Sequence, residues 1–280
     1  MRAFGISTHL FHSRRLERDH LKAIAAHGFD QIELAATRSH FDYHNQAAVA
    51  TLQEWLAEAG VTLHSVHAPT SETFPPGRRE PPFSLASADP SERARALEEA
   101  EQALQIARRI PYTRFIVHLG VPRTLQRAPA DNNRDSARRS IESLVKAAEP
   151  LGVTVAIELI RNELSRPASL VHFIENVLDA PAGICLDFGH AHLEGDLTDT
   201  VELVSEHLTA THLQDNRGRT DDHLVPFDGS VDWPSALTAV QKVGYDGTLM
   251  LEVAAHGPEL DALKKARAAR QRMEQLLAAW

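Results

Sequence analysis

The clearest shortage in this 280-residue chain is of cysteine. Its single cysteine, Cys185, excludes an intrachain disulfide and is typical of proteins from a reducing compartment. Long hydrophobic runs are also missing, since no stretch approaches the roughly 18 apolar residues that span a bilayer. Residues 1–6 enter a strand-like run without the pattern of a signal peptide. We therefore expect a cytoplasmic protein with no membrane partner.

Positive charge is also in short supply. The 29 lysines and arginines stand against 38 acidic residues, for a formal net charge of −9. Proteins that bind the nucleic-acid backbone usually have a basic excess or a basic face, so a nucleic-acid partner is not expected. Histidine, in contrast, occurs 16 times. Because it is the commonest metal ligand and proton shuttle, the positions of the histidines matter.

Short β-branched and apolar runs alternate with amphipathic stretches along the chain. Eight strand candidates begin at Ala3, Gln31, Val61, Arg114, Val153, Gly183, Thr209 and Thr248. Each precedes a predicted helix, near 17–27, 45–59, 90–109, 133–149, 168–178, 198–206, 233–243 and 258–278. The alternation favours a parallel sheet, because a parallel pair needs a long crossover. Eight units in a chain of this length predict a (β/α)₈ TIM barrel, with residues 1–280 as a single α/β domain.

Cap and turn residues support these element boundaries. Residues 89–92 read as an N-cap aspartate, a proline at the first helical position and a capping-box glutamate. Glycines at 28, 60, 152 and 244 fall between a helix and the next strand, where a C-terminal glycine cap is expected. The longest irregular segment, 70–88, contains Pro75-Pro76-Gly77. It is interpreted as a loop over the barrel mouth, with a passive surface excursion as the alternative.

Chemically active side chains follow six successive strands. They are His67, His118, Glu158, Asp187, His212 and Glu252. Active sites of TIM barrels lie at the C-terminal ends of the strands. Carboxylates that meet there would repel one another and lose solvation unless a cation bound them. A divalent-metal site is therefore predicted from Glu158, Asp187, His212 and Glu252, a ligand set that suits Mn²⁺, Mg²⁺, Co²⁺ or Zn²⁺.

Seven short motifs carry a family resemblance over nearly the whole chain. They are Ser65–Pro69 (SVHAP), Val117–Gly120 (VHLG), Ile157–Glu158 (IE), Leu186–His190 (LDFGH), His212–Asn216 (HLQDN), Asp221–His223 (DDH) and Leu251–Glu252 (LE). With them the chain resembles the xylose isomerase-like TIM-barrel superfamily. This superfamily includes sugar-phosphate isomerases and epimerases, and the related AP endonuclease family 2 with endonuclease IV. In the isomerase and epimerase branch, the resemblance implies that Glu158, Asp187, His212 and Glu252 bind the metal. Glu158 and Glu252 would then also be the catalytic acid–base pair.

The resemblance implies a metal-dependent isomerase or epimerase of sugars or sugar phosphates, with Mn²⁺ as the expected metal. A metal on the carbonyl and hydroxyl oxygens stabilises the enediolate that forms when a carboxylate removes the alpha proton. A second carboxylate can return that proton. A small carbohydrate is thus the expected partner, and self-association into a homo-oligomer is left open. The candidates to bind this substrate are His67, His118, His190, Arg217 and Arg219.

The endonuclease branch is the main alternative. Its nine-ligand pattern for a trinuclear zinc cluster is filled by His67, His118, Glu158, Asp187, His190, His212, Asp221, His223 and Glu252. Such a cluster implies phosphodiester cleavage at abasic DNA sites. However, the net charge is acidic, segment 68–72 lacks the wedge residues of the nucleases, and segment 5–11 lacks their glycine pair. We therefore favour the isomerase or epimerase. A non-catalytic sugar-binding barrel is a third hypothesis, but it would not need two opposed glutamates.

Other polar residues carry weaker expectations. The histidines of the first two βα loops are expected at the surface or the rim, with a position in the substrate pocket as the alternative; these are His9, His12, His40 and His44. Glu33 ends the second strand, where a substrate contact and a structural hydrogen bond are both open. Cys185 has the strand parity of Asp187, so it should face the barrel interior as a packed, inert thiol.

Overall fold

The computed structural model describes residues 2–74 and 82–279. Eight parallel strands close into a barrel, in which each strand pairs with the next and β8 returns to β1. The strands are β1 Phe4–Ser7, β2 Gln31–Ala35, β3 Thr62–His67, β4 Arg114–His118, β5 Thr154–Glu158, β6 Gly183–Asp187, β7 Leu208–Leu213 and β8 Leu249–Leu251. The predicted (β/α)₈ barrel fold is therefore confirmed.

Within the described ranges, nine α-helices surround the barrel. They are α1 Arg18–Ala26, α2 Gln46–Ala59, α3 Pro90–Leu104, α4 Arg134–Ala148, α5 Pro167–Asn176, α6 Phe188–Glu194, α7 Leu197–Val204, α8 Trp233–Lys242 and α9 Glu259–Ala278. None of these described helices combines the length and the apolar character that a membrane crossing demands.

Helix α6 was not predicted from the sequence. It has seven residues and follows β6 without a connecting loop, so it is too short to show a helical repeat of apolar positions. The Asp187 side chain accepts a hydrogen bond from the backbone N–H of His190 at 2.7 Å and thereby caps the helix. The same aspartate thus ends the strand and begins the helix that carries His190.

The predicted N-cap Asp89 and the glycine cap at Gly60 are confirmed, but the capping box is not formed, because the backbone N–H of Asp89 donates to Ser87 Oγ rather than to Glu92. Asp89 accepts hydrogen bonds from the backbone N–H groups of Ser91 and Glu92, with Pro90 in the first turn of α3. Gly60 ends α2 in the left-handed conformation, with φ of 69°. In the irregular segment 70–88, residues 75–81 lie outside the described part of the chain.

Small and apolar side chains fill the barrel below the strand ends. Ile116, Ala156, Cys185 and Ala210 come from four neighbouring strands and form one buried cluster. The inward position predicted for Cys185 is confirmed, and burial raises the pKa of its thiol. Alternate residues of the same strands pack outward against the helices in a second, larger core. The polar strand ends therefore rest on a close-packed apolar base.

Candidate functional site

The four residues predicted as metal ligands come together at the barrel mouth. Glu158 and Asp187 are the last residues of β5 and β6. His212 lies near the end of β7, and Glu252 directly follows β8. One ligand atom from each lies within 4.8 Å of the others, and all four side chains are buried. We call Glu158, Asp187, His212 and Glu252 the inner cluster.

Glu158 contacts three imidazole rings. Its Oε2 lies 3.0 Å from Nε2 of both His67 and His118, and its Oε1 lies 3.1 Å from Nδ1 of His212. Burial alone would raise the pKa of Glu158, but His212 and His118 outweigh it and hold the pKa well below the usual range. Burial likewise opposes charge on His67, but Glu158 raises its pKa to about 9. Glu158 is therefore an ionised carboxylate shared between the inner cluster and the pair of His67 and His118.

The pKa values of the other two acids of the inner cluster shift upward, opposite to that of Glu158. Burial, helped by the charge of Glu158, raises the pKa of Asp187 to about 8. Burial also raises the pKa of Glu252, although His212 works against it. Within the described residues, Asp187 Oδ2 is buried without a hydrogen-bond partner. Because a buried carboxylate oxygen is costly to leave unpaired, this atom fits a bound cation.

Glu33 orients the imidazole of the inner cluster. It is buried at the end of β2, and its Oε2 lies 3.0 Å from Nε2 of His212. Ser65 donates a second hydrogen bond to the same carboxylate at 2.8 Å. With Nε2 engaged in this way, His212 directs Nδ1 toward Glu158 and Glu252. A carboxylate behind a histidine is the usual support for a metal-binding imidazole. The question left open for Glu33 is thus answered by a structural hydrogen bond.

A second group of possible ligands lies nearer the surface. His190, Asp221 and His223 each offer one ligand atom within 4.8 Å of the others, and we call them the outer cluster. Asp221 Oδ2 is 3.3 Å from Nε2 of His223 and 3.7 Å from Nε2 of His190. Gln214 connects the two clusters, because its Nε2 donates to Asp187 Oδ1 at 3.2 Å and to Asp221 Oδ1 at 2.8 Å.

The connection between β7 and α8 holds two of the outer residues in place. Asp215, fully buried, anchors this connection through four hydrogen bonds. Its carboxylate accepts from the backbone N–H groups of Asn216, Phe227 and Val231 and from Nε1 of Trp233, at 2.8–3.1 Å. The anchor is needed because His223 and Phe227 adopt positive φ angles of 47° and 76°, which are unfavourable for residues with side chains.

A cavity of about 600 Å³ opens above the clusters. This volume suits a small molecule. Four of the five predicted substrate-binding residues line it, namely His67, His118, His190 and Arg219. Arg217 does not line the cavity; it is exposed, and its backbone N–H donates to Asp222.

The expectation that the early histidines lie at the surface or the rim is wrong for His12 and His40, which are buried. His9 and His12 line the cavity, and the His12 ring stacks on Phe74 with centroids 4.1 Å apart. The 3₁₀ helix Thr8–Phe11 follows β1 directly and turns both rings inward. Burial lowers the pKa of His9 to about 3 and that of His40 to about 4, so both rings are neutral. His44 is exposed, as expected.

Comparison with known proteins finds a matching family model, similar sugar epimerases and a crystal structure with a similar fold. Residues 21–276 match the family model described as a xylose isomerase-like TIM barrel. The chain is 25% identical over 252 residues to L-ribulose-5-phosphate 3-epimerase of Salmonella paratyphi A, covering 86% of this chain and 83% of the relative. It is 22% identical over 249 residues to D-psicose 3-epimerase of Enterocloster bolteae, covering 84% and 76%. The crystal structure of a D-tagatose 3-epimerase-like protein shares the fold, with a TM-score of 0.80 at 22% identity over 100% of this chain and 99% of the other.

Replacing Asp215 with Asn should destabilise the connection that carries the outer cluster. The amide keeps one acceptor oxygen but presents N–H groups to Phe227 N and Trp233 Nε1, so buried donors lose their partners. We expect the free energy of unfolding to fall by about 1–3 kcal/mol, measured by urea denaturation. The matched control is Asp228→Asn in the same connection, where an exposed ion pair with Lys265 should contribute less than about 1 kcal/mol. Equal stability of the two variants would contradict the anchoring role.

Proposed function

The chain belongs to the xylose isomerase-like TIM barrel family, and from this premise we propose that it is a divalent-metal-dependent sugar epimerase or isomerase. Its two named relatives are 3-epimerases, one of a sugar phosphate and one of a free sugar. The observation that carries the proposal is that Glu158 and Glu252 share one buried cluster and both line a cavity of small-molecule size. We further propose that residues 1–280 form one such barrel domain.

The inner cluster is the proposed metal site. Its three carboxylates and one imidazole suit Mn²⁺, with Zn²⁺, Co²⁺ or Mg²⁺ as alternatives. Two features support the assignment, namely the unpaired Oδ2 of Asp187 and the alignment of His212 by Glu33. When bound, the cation supplies Lewis-acid polarisation of the carbonyl and hydroxyl oxygens of the substrate.

Glu158 and Glu252 form the proposed acid–base pair. The low pKa of Glu158 keeps it ionised at neutral pH, so it can accept the proton alpha to the substrate carbonyl. The raised pKa of Glu252 suits a group that gives a proton back. His190 and Arg219 line the same cavity; His190 would donate a hydrogen bond to a substrate oxygen, and Arg219 would hold a hydroxyl, carboxylate or phosphate group. His67 and His118, which contact Glu158, would keep its carboxylate in place.

One observation favours a second candidate function. Besides the inner cluster, two further groups at the barrel mouth bring three ligand atoms each within 4.8 Å, namely Glu158 with His67 and His118, and the outer cluster. Together these nine residues fill the ligand pattern of an endonuclease IV-like trinuclear zinc phosphodiesterase. The formal net charge of −9 and the small cavity argue against a DNA duplex as substrate. We therefore rank this function second.

Incision of abasic DNA separates the two candidates. We expect no cleavage of a duplex carrying one abasic site, at enzyme concentrations at which endonuclease IV cleaves it completely. The metal content should be measured on the same preparation, because three zinc ions per chain together with incision would reverse our ranking. A preparation that turns over a ketose and leaves the duplex intact supports the epimerase.

Removal of the metal should abolish activity and lower the melting temperature, because a cation bound only to the native state stabilises it by mass action.

Metal affinity should also rise with pH. Asp187, with its pKa raised to about 8, must lose a proton to bind the cation. Release of this proton should increase the apparent affinity by up to about tenfold per pH unit below pH 8. Burial opposes charge on His212, but Cys185 and the surrounding carboxylates raise its pKa well above the usual range, so this ligand must also lose a proton and the affinity should continue to rise at higher pH. Asp187→Asn should weaken metal binding and make the pH dependence less steep, and a chelated protein with full activity would refute the proposal.

Glu158→Gln and Glu252→Gln test the acid–base roles. Glutamine keeps one coordinating oxygen but cannot accept a proton at neutral pH. At saturating metal, each variant should stay folded and lose turnover by about 10²-fold or more, the scale of a lost general base. Solvent deuterium exchange into a panel of ketoses, followed by NMR, should be lost in one variant and retained without turnover in the other.

The control for these variants is Glu98→Gln on the exposed side of α3, which should keep both activities. Metal occupancy must be determined for every sample. Normal exchange and turnover in both metal-saturated variants would leave a metal site without the acid–base pair. Sugar binding without any exchange in the wild-type protein would instead support a non-catalytic sugar-binding barrel.

A further inference from the structure

Two arginines from neighbouring βα loops meet at the mouth of the cavity. Arg123 follows β4, Arg161 follows β5, and both residues line the cavity. The backbone N–H of Arg123 donates to the carbonyl oxygen of Arg161 at 2.9 Å, so the two loops are joined at this point. The backbones that carry the two arginines are therefore held next to each other.

The positive charge at this place is only partly neutralised. Arg123 pairs with the exposed Glu163 at 2.6 Å, and Arg161 pairs through Nε with Glu194 at 3.3 Å. Arg166 competes for both carboxylates, at 3.3 Å from Glu163 and 3.5 Å from Glu194. Three guanidinium groups thus share two carboxylates and leave a surplus positive charge. Arg161 pairs with Glu194 through Nε, so its two terminal nitrogens take no part in the ion pairs of this network and can donate to a ligand.

A third arginine lines the same cavity. Arg219 lies in the connection between β7 and α8, and within the described chain it forms no ion pair. Thr124 and Thr220, each next to one of these arginines in sequence, add hydroxyl groups to the lining. The chain has a formal net charge of −9, so three arginines that line one cavity contrast with its overall charge. Their positive charge, above the acids of the inner cluster, favours the binding of a negatively charged ligand at the mouth of the cavity.

We propose that Arg123 and Arg161, together with Arg219, form an anion subsite for the end of the substrate that lies away from the reacting carbon. This inference rests on the proposed function and refines its substrate class. The planar fork of arginine binds the oxygens of a phosphate monoester or a carboxylate by paired hydrogen bonds. The preferred substrates are accordingly ketose phosphates or ketose acids rather than neutral ketoses.

The kinetic test compares free ketoses, ketose phosphates and ketose acids of equal chain length. The wild-type protein should prefer an anionic substrate, and the phosphate and carboxylate arms identify which anion is bound. In Arg123→Met and Arg161→Met, kcat/KM for the preferred anionic substrate should fall about 10- to 100-fold, chiefly through KM, as expected for a lost charged hydrogen bond. The preference over the neutral ketose should fall with it. The matched control is Arg127→Met, which lies in the same βα loop as Arg123 and forms an exposed ion pair with Glu92 but does not line the cavity, and which should stay within about threefold.

A binding experiment keeps this proposal separate from the proposed function. Inorganic phosphate is titrated calorimetrically into metal-loaded wild-type protein and the three variants, with metal content checked in each. Weaker binding in Arg123→Met and Arg161→Met but not in Arg127→Met supports the subsite, even if no ketose is turned over. Equal weakening in all three variants, or none in any, overturns it. Epimerase activity that does not distinguish anionic from neutral ketoses also overturns the subsite and leaves the proposed function intact.

Discussion

The contact of one buried carboxylate with three imidazoles organises the mouth of this barrel. Glu158 touches His67, His118 and His212, which follow or end three other strands. A buried charge must be paired, since its desolvation would otherwise cost several kcal/mol. The pairing therefore joins β3, β4, β5 and β7 at their C-terminal ends. The charged groups at the strand ends form one site because each buried charge needs a partner of opposite charge. That partner is either another group of the site or a cation.

Side chains with no proposed catalytic role keep the possible ligands in position. Glu33 fixes the ring of His212, and Gln214 links Asp187 with Asp221. Asp215 anchors the long connection between β7 and α8 by hydrogen bonds. These hydrogen bonds are buried, where they are electrostatically stronger than in water, and each limits the rotamers of a residue nearer the cavity. The residues that line the cavity are thus held in place by side chains that do not line it themselves.

Family membership and the geometry of the site each limit the number of candidate functions, and they do so by different arguments. The family match gives a xylose isomerase-like TIM barrel and does not by itself choose between the isomerase and the nuclease hypotheses. The cavity and the acidic composition favour a small molecule, while the three groups of ligand atoms keep the phosphodiesterase in consideration. The arginines at the mouth add a property that neither argument contains, namely the charge of the substrate. These arginines belong to the βα loops, which in this fold vary independently of the barrel.

The sequence by itself determined the barrel and the membership of the inner cluster. Strand and helix periods are local properties, and a polar residue that ends a buried strand must lie at the barrel mouth wherever that strand pairs. Tertiary structure decided what local pattern cannot express. Helix α6 was too short to show a period, the 3₁₀ turn after β1 buried His12, and the role of Glu33 depended on a contact with His212, distant in sequence. The grouping of nine ligands into three sets and the meeting of Arg123 with Arg161 likewise depend on distances between different strands and loops. Sequence order contains no such distances, because they arise only when the barrel closes.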